Sequence, residues 1–296
     1  MGNWARWCSW DEGPDDFTCG VETMCGLSGV LLYPRRRSEA ELERIREIST
    51  ANLVFNEERG REAAGVAVIQ ADGTYHILKR PVPASTLVKS DAYRRLLATI
   101  NEETVCILGH TRMPTKGSPL RNVNNHPLRT EHVIGIHNGM ILNDDDLFAR
   151  FHFPRAGEVD SEIIFRLLDT VDPAQSDGRY PQDLEATLRF LRGTYAVLAV
   201  DLRRPTNLLA LKQLRPLCLH YELEWEALFF SSRYLFLRKA FGRAVITEAL
   251  ESGYGYCFDA LRLPALGNRP AFVFPLAGGD EKERSVCIKL GEEGTR

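Results

Sequence analysis

Residues 25–33, Cys-Gly-Leu-Ser-Gly-Val-Leu-Leu-Tyr, form an almost uninterrupted apolar run that ends at Pro34 and three arginines. A short apolar run bounded in this way is typical of a buried β-strand. The 24 residues before it contain three of the four tryptophans, no helical or strand periodicity, and five acidic residues against one basic residue. We therefore predict that the folded body begins at Cys25. Residues 1–24 are interpreted as a leader, either a propeptide or the product of a misassigned start.

The remaining segments come as groups of helices and groups of strands. Ser38, with a glutamate three positions later, predicts the capped start of a helix that ends near Glu58. Ala71-Asp-Gly73 predicts a turn between strands at 64–70 and 74–79. Further helices are predicted at 91–100, 161–168, 181–191 and 234–241, and further strands at 105–109, 132–137, 194–201, 207–212, 227–231, 254–258, 271–274 and 286–290. Grouping without strict alternation favours an α+β layered domain over 25–277, with 278–296 as a C-terminal tail.

The composition excludes several function classes. The 296 residues are 44% hydrophobic and 26% charged, and the net charge of −3 lacks the basic excess of a nucleic-acid-binding protein. No apolar window is long enough for a membrane span, and the first thirty residues lack the pattern of a secretory signal. The seven cysteines are dispersed and odd in number, which fits a reducing compartment better than a disulfide framework. We expect a cytoplasmic protein that binds neither nucleic acid nor membranes.

Four short segments contain groups that are suited to catalysis, and the first is centred on Cys25. A cysteine in an apolar run is usually inert. Removal of the leader would make Cys25 the first residue, with its thiol beside its own α-amine. The pKa of an unperturbed α-amine is about 7.7–8.0, so such an amine can activate the thiol without a separate histidine.

The other three segments each have a structural and a functional interpretation. Arg112, within Gly109-His-Thr-Arg-Met-Pro-Thr-Lys-Gly117, is either an incidental loop residue or a fork that binds a carboxylate. Asn138-Gly139 predicts a type I′ hairpin turn, and its amide and glycine N–H can also stabilise an oxyanion. Asp160, in Asp-Ser-Glu, either helps to cap the next helix or pairs with a substrate ammonium. Together the four segments suit attack on the side-chain amide of a free amino acid.

The order of these segments resembles that of the class II glutamine amidotransferases. The matching motifs are Cys25-Gly-Leu-Ser-Gly, Arg59-Gly-Arg-Glu-Ala-Ala-Gly65, Gly-His-Thr-Arg with Asn125-His-Pro127, His-Asn-Gly and Asp-Ser-Glu. The chain is most similar to the glutaminase domain of glucosamine-6-phosphate synthase, clearly so over 25–169. The resemblance implies a four-layer αββα sandwich of the N-terminal-nucleophile hydrolase type.

The resemblance also implies a role for each catalytic group. Cys25 would be the nucleophile, with its freed α-amine as the base, and Asn138 and Gly139 would donate to the oxyanion. Arg112 would bind the α-carboxylate of glutamine, and Asp160 would bind its ammonium group.

The resemblance also covers further positions of the family motif, some of which hold a different residue in this chain. Thr115 and Lys116 fall where family members contact substrate, and His126 lies on the neighbouring loop. Met113 and Lys116 replace a tryptophan and a histidine of the family motif, so lid gating and substrate affinity are not carried over with them. His126 and the other histidines near these motifs lack the spacing of a zinc site. Neither a metal nor a cofactor is expected.

The sequence outside the resemblance is too short for the synthase domain that consumes ammonia in known family members. We therefore expect a chain that hydrolyses glutamine through a γ-glutamyl thioester and delivers ammonia to a separate synthase subunit. Two alternatives stay open. One is a stand-alone γ-glutamyl hydrolase, and the other is a catalytically silent glutamine-binding or scaffold module, which would follow if the leader stays attached.

Overall fold

The computed structural model describes residues 24–176 and 178–276. The predicted leader before Met24, the tail at 278–296 and the strand predicted at 286–290 lie outside the described residues. The strands are β1 Gly26–Leu32, β2 Ala63–Gln70, β3 Tyr75–Arg80, β4 Thr104–Arg112, β5 Leu128–Arg129, β6 Val133–Ile141, β7 Gly193–Asp201, β8 Asn207–Gln213, β9 Cys218–Glu222, β10 Ala227–Ser231, β11 Glu248–Ala249, β12 Tyr254–Asp259 and β13 Phe272–Pro275. The α-helices are α1 Glu39–Asn56, α2 Ala84–Leu87, α3 Asp91–Leu97, α4 Asp144–Phe151, α5 Glu162–Asp169, α6 Tyr180–Leu188, α7 Tyr234–Phe241 and α8 Leu263–Leu266.

The described strands form two antiparallel sheets. The first has the order β11-β9-β10-β1-β4-β2-β3, and the second has the order β13-β12-β8-β7-β6-β5. One hydrophobic core lies between the two sheets. A second core joins the six-stranded sheet to α4, α5 and α6, and a third joins the seven-stranded sheet to α1, α3 and α7. The predicted α+β fold with αββα layers is confirmed.

Strand β1 shows why the apolar run at 25–33 indicates the fold. Leu27 and Leu31 enter the core between the sheets, whereas Val30 and Leu32 enter the core beneath α1. Successive side chains of a strand point to opposite faces, so a strand covered on both faces needs apolar residues at nearly every position. The composition of this one strand therefore indicates that layers pack against both of its faces.

Helix α1 begins as predicted. The Ser38 hydroxyl accepts a hydrogen bond from the Glu41 N–H at 3.2 Å. The Glu41 carboxylate binds Arg35 and Arg37, which precede the helix. No described helix is long and apolar enough to cross a membrane.

Several elements differ from the sequence prediction, among them β4, α4 and β9. Strand β4 continues three residues beyond the predicted end and so carries Arg112 within the sheet. Helix α4 and strand β9 were not predicted. The extension of β4 fixes the backbone of Arg112 in the ladder with β2.

Candidate active site

Three candidate residues, Cys25, Arg112 and Asn138, lie at or near the ends of three strands, on the faces that pack against the opposite sheet. Side chains alternate along a strand, so every second residue shares a face. In each strand the candidate residue continues a row that fills the core between the sheets. The rows are Leu31, Leu27 and Cys25 at β1, Cys106, Leu108 and Arg112 in β4, and Ile134, Ile136 and Asn138 in β6.

Two contacts show that these strand ends meet. Gly26 pairs with Thr111 in the β1–β4 ladder, which brings the start of β1 beside the end of β4. Across the two sheets, a ring nitrogen of His110 lies 2.9 Å from the carbonyl oxygen of His137. The candidate side chains at these strand ends therefore lie at one edge of the sandwich.

The Cys25 thiol is held by the backbone that follows β4. Its Sγ lies 3.3 Å from both the N–H and the carbonyl oxygen of Met113. Burial of the sulfur raises the pKa of the thiol to about 11, although the Met113 hydrogen bond and the charge of Arg112 act to lower it. The thiol is protonated at neutral pH, so nucleophilic attack requires a base.

Arg59 and Gly60 explain a motif to which the sequence assigned no role. The Arg59 Nε donates to the carbonyl oxygen of Cys25 at 2.9 Å and so fixes the backbone of this cysteine. A Cβ at Gly60 would lie 2.4 Å from the carbonyl carbon of Arg112 and 2.5 Å from the nitrogen of Met113. Only glycine permits this approach between the turn after α1 and the end of β4.

Arg112 is 3% exposed and is oriented by a surrounding loop. Its Nη1 donates to Asn125 Oδ1 at 2.8 Å, and its Nη2 donates to the carbonyl oxygens of Lys116 and Gly117, also at 2.8 Å. No described carboxylate lies within ion-pair distance of this guanidinium. Since a buried charge is costly without a counter-charge, the arrangement favours an anionic ligand.

Asp160 has the opposite character. Its Oδ2 accepts from the Ile141 N–H at 2.6 Å, and its Oδ1 lies 3.5 Å from the Ser161 hydroxyl, which lies 2.7 Å from His137 Nδ1. Neither Asp160 nor Ser161 caps α5 through its side chain, so the capping interpretation is wrong. No described cation is within ion-pair distance of the 5% exposed Asp160, which suits an ammonium group.

The predicted turn at Asn138-Gly139 is wrong. Both residues lie inside β6, which pairs with β7 without interruption from Val133 to Ile141. A type I′ turn needs the partner strand to follow at once, but β7 begins some fifty residues later. Gly139 has a φ of +138°, and a Cβ there would lie 1.9 Å from the Thr194 carbonyl oxygen. Glycine is needed here for close strand approach rather than for a turn.

The Asn138 amide is the clearest sign of an incomplete polar site. The residue is 1% exposed, yet neither Nδ2 nor Oδ1 has a hydrogen-bond partner among the described residues. Buried polar groups are almost always paired in folded proteins. The amide is therefore available to donate to a ligand.

The remaining predicted site residues, Thr115, Lys116 and His126, differ in their exposure and in their contacts. Thr115 is exposed. The Lys116 ammonium binds Asp144 at 2.7 Å and Asp145 at 3.1 Å, so this side chain is already paired. His126 is buried against His110, with ring centroids 4.3 Å apart, and its two ring nitrogens have no partner among the described residues. Burial lowers the pKa of His126 well below its usual value, so the imidazole is neutral.

Glu162 is a further residue that the sequence analysis did not single out for a role in the site. Its carboxylate accepts from the N–H groups of Ala156 and Gly157 and pairs with Arg166 at 2.9 Å. These bonds fix the loop that precedes Asp160. The Asp-Ser-Glu motif thus combines a ligand candidate with the carboxylate that orders its own loop.

Comparison with known proteins gives relatives with two different names. The 7-cyano-7-deazaguanine synthase of Saccharolobus solfataricus is 29% identical over 213 residues, which are 71% of this chain and 43% of that protein. The glutamine–fructose-6-phosphate aminotransferase (isomerizing) of Escherichia coli, a glucosamine-6-phosphate synthase, is 29% identical over 197 residues, which are 66% of this chain and 29% of that protein. The chain thus spans less than half the length of these relatives. No family model matches the chain.

Two solved structures share the fold. The allosteric regulatory enzyme of purine biosynthesis superposes with a TM-score of 0.60 at 18% identity, over 79% of this chain and 47% of that one. The glutamine phosphoribosylpyrophosphate amidotransferase from B. subtilis has a TM-score of 0.59 at 18% identity over the same shares. The resemblance to class II glutamine amidotransferases and the fold of the N-terminal-nucleophile type are confirmed.

Proposed function

We propose that this chain, which resembles the class II glutamine amidotransferases in sequence and in fold, hydrolyses the side-chain amide of glutamine and supplies the ammonia to a synthase. The observation that carries this proposal is the pair of Arg112 and Asp160. Both are buried, they have opposite charges, neither has an ion-pair partner among the described residues, and both act electrostatically on the Cys25 thiol. A free α-amino acid presents the two complementary charges.

The proposed reaction begins with attack of the Cys25 sulfur on the amide carbon of glutamine. The thiol proton passes to the freed α-amine of Cys25, and the Asn138 amide and Gly139 N–H donate to the oxyanion. Collapse of the tetrahedral intermediate breaks the C–N bond, and the amine returns the proton so that ammonia leaves. The resulting γ-glutamyl thioester is hydrolysed by water to glutamate and the free thiol.

Thr115 and His126 are proposed to line the same pocket. The neutral imidazole of His126 can donate from one ring nitrogen and accept at the other. For Lys116 we propose a role through its carbonyl oxygen, which orients Arg112, because its ammonium is held by Asp144 and Asp145.

The ammonia acceptor is proposed to be a separate synthase subunit in the cytoplasm, with residues 25–277 as the glutaminase domain. A stand-alone γ-glutamyl hydrolase would have the same site without that partner. If the leader stays attached, the chain becomes a silent glutamine-binding or scaffold module, since the Cys25 nitrogen is then an amide and not a base.

A chain expressed from Met24 tests the proposal. The initiator methionine would be removed before the small residue Cys25, and every described helix and strand begins at or after Gly26, so this chain retains the whole described fold. We expect it to release glutamate and ammonia from glutamine in equal amounts. Hydroxylamine should trap γ-glutamyl hydroxamate. The absence of ammonia release from a folded chain with Cys25 at its N-terminus would contradict the proposal.

Two truncated substrates separate the roles of Arg112 and Asp160. Glutaramate lacks the α-ammonium of glutamine, and 4-aminobutanamide lacks its α-carboxylate. Loss of one buried charged partner costs about 2–5 kcal/mol of binding, so Arg112→Ala is expected to raise KM for glutamine and glutaramate steeply. The same substitution should leave kcat/KM for 4-aminobutanamide nearly unchanged. Asp160→Ala should raise KM for glutamine and 4-aminobutanamide and leave kcat/KM for glutaramate nearly unchanged. Steady-state assays of ammonia release measure both sets of constants.

Arg121→Ala is a matched control for the arginine substitution, because this exposed residue of the same loop pairs, among the described residues, with Glu158 at the surface. Its kinetics should equal those of the parent chain. If Arg112→Ala leaves KM for glutamine unchanged, the carboxylate site lies elsewhere.

Asn138→Ala tests the oxyanion site. One donor of this kind typically contributes about 10²–10³ in kcat, so we expect a loss of that size with little change in KM. The amide has no partner among the described residues, and removing an unsatisfied buried group does not lower the free energy of unfolding. An unchanged or raised melting temperature with a lowered kcat is the expected result. A large loss of stability with unchanged kcat would assign Asn138 a structural role instead.

A further inference from the structure

Lys79 is a half-buried cation in β3 that the catalytic scheme does not use. Its ammonium donates to the carbonyl oxygens of Asn125 at 2.7 Å and Pro127 at 3.0 Å. No described carboxylate is within ion-pair distance of it. Burial and the charge of Arg112 lower the pKa of Lys79 to about 8, so the side chain is still charged at pH 7.

The two carbonyls that Lys79 binds flank His126, so the ammonium spans the segment from Asn125 to Pro127. The Lys79 backbone also takes part, because its carbonyl oxygen accepts from the Asn122 amide at 3.0 Å. The loop at 122–127 is therefore fastened to β3 at both ends. Loops that position ligands need such fixed points, since their own backbone has no ladder partner.

Gly65 explains how the loop comes so close to the sheet. It lies opposite Lys79 in the β2–β3 ladder. A Cβ at Gly65 would lie 2.1 Å from the His126 carbonyl oxygen and 2.8 Å from the Lys79 Cβ. The last glycine of the Arg59–Gly65 motif thus leaves room for the loop that Lys79 holds.

The same loop holds the carboxylate-binding group. Asn125 Oδ1 accepts from Arg112 Nη1 at 2.8 Å, and Asn125 Nδ2 donates to the Pro119 carbonyl oxygen at 2.7 Å. A chain of direct contacts therefore runs from the Lys79 ammonium through Asn125 to the guanidinium. A shift of the Asn125 backbone would turn Arg112 away from its present direction.

We propose that Lys79 is a positioning residue for the α-carboxylate of glutamine, because it pins the Asn125–Pro127 segment and thereby aims Arg112 into the pocket. This inference rests on the proposed function. Lys79 does not touch the reacting amide, so it acts on substrate affinity and leaves the chemical step alone. It also places a second positive charge near the guanidinium, which favours an anionic ligand there.

The test uses the chain expressed from Met24 at pH 7, with glutamine and 4-aminobutanamide as substrates. Lys79→Met keeps the apolar stem and removes both charge-assisted hydrogen bonds. We expect KM for glutamine to rise about tenfold or more, with kcat within about twofold of the parent. kcat/KM for 4-aminobutanamide, which has no α-carboxylate, should change by less than about twofold.

Two further variants separate positioning from a general loss of structure. Lys79→Arg keeps the charge and can donate to both carbonyls, so it should restore KM for glutamine to within about threefold of the parent. Lys79→Gln is one atom shorter and cannot reach both carbonyls, so it should behave like Lys79→Met and replaces it if the methionine chain does not fold. Arg80→Met, which removes an exposed cation at the next position, should equal the parent.

The outcomes separate this inference from the proposed function. If the parent chain releases no ammonia, the proposed function fails. If the parent is active and folded Lys79→Met or Lys79→Gln has an unchanged KM for glutamine, only the role of Lys79 is overturned. Equal losses on glutamine and 4-aminobutanamide would likewise overturn it, because a general disturbance of the site would affect both substrates.

Discussion

Cys25→Ala is expected to abolish the release of ammonia from glutamine while the fold stays intact. No other described group near the cleft can replace the thiol, and loss of the nucleophile in a comparable hydrolase lowers kcat by about 10⁶. Among the described residues the sulfur makes two weak hydrogen bonds of 3.3 Å, both with Met113, so the free energy of unfolding should change little. Ammonia release and a thermal melt of the same sample check both statements.

Cys218→Ala is the matched control. Cys218 lies in β9, and its thiol donates to the carbonyl oxygen of Ser231 at 3.3 Å, within the core beneath α7. The substitution removes the same atoms at a distance from the cleft, so it should lower stability modestly and leave kcat unchanged. Turnover by Cys25→Ala at the parent rate would refute the thioester mechanism.

The substitution also separates binding from chemistry. Arg112 and Asp160 are fixed by contacts that do not involve the sulfur, so the inactive chain should still bind glutamine. Isothermal titration of Cys25→Ala with glutamine is expected to give one site per chain. Binding should be lost when Arg112→Ala is added to the same chain.

Local sequence patterns predicted those parts of the fold whose causes are local. The turn at 71–73 joins two strands that pair with each other, so the short-range signal suffices. The cap at Ser38 acts on a residue three positions away. The strand at 26–32 is apolar throughout because both of its faces are covered, and composition alone reveals this.

Predictions failed where the partner of a segment is distant in sequence. Asn138-Gly139 has the composition of a hairpin turn, but the register of β6 with β7 keeps both residues extended. Helix α4 opens with three aspartates, and two of them bind Lys116 and Arg155. Its stability therefore depends partly on tertiary ion pairs that no local window contains.

At the candidate site, too, the motifs were found from the sequence, whereas the contacts between residues distant in sequence were not. The motifs of the resemblance pointed to Cys25, Arg112 and Asp160. Cys25 lies immediately before β1 and Arg112 ends β4, whereas Asp160 lies in the turn before α5, where its carboxylate accepts from the Ile141 N–H of β6. The residues that orient them were not foreseen. Arg59 binds a carbonyl 34 positions away, and Lys79 binds carbonyls 46 and 48 positions away. A single sequence carries no signal for contacts of this length.

The second large effect on activity is expected from the state of the Cys25 nitrogen, which is either a free α-amine or a peptide amide. In the described structure this nitrogen belongs to the peptide bond that joins Met24 to Cys25, and an amide nitrogen is not a base. The Cys25 thiol has a pKa raised to about 11 by burial, so it does not ionise on its own at neutral pH. Catalysis therefore needs a proton acceptor close to the sulfur.

The nearby histidines are poor candidates for that acceptor. Burial lowers the pKa of His110 to about 3 and that of His126 well below its usual value, and the pKa of His137 is also lowered. A base with so low a pKa takes little of the thiol proton. The freed α-amine of Cys25, with a pKa of about 7.7–8.0 when unperturbed, is the better match to neutral pH.

We therefore expect the chain that begins at Cys25 to be active and the full 296-residue chain to be nearly inactive. General-base catalysis contributes about 10²–10⁴ in rate, so the difference in kcat should fall in that range. The rate of the active chain should decrease as the pH is lowered through the pKa of the α-amine, about 8, because protonation removes this base. Intact-mass spectra recorded beside each assay should show activity in proportion to the fraction with Cys25 at the N-terminus. Equal activity of a chain whose mass still includes Met1 or Gly2 would require a different base. Because the histidines are poorly suited to that task, such a result would also contradict the assignment of Cys25 as the nucleophile.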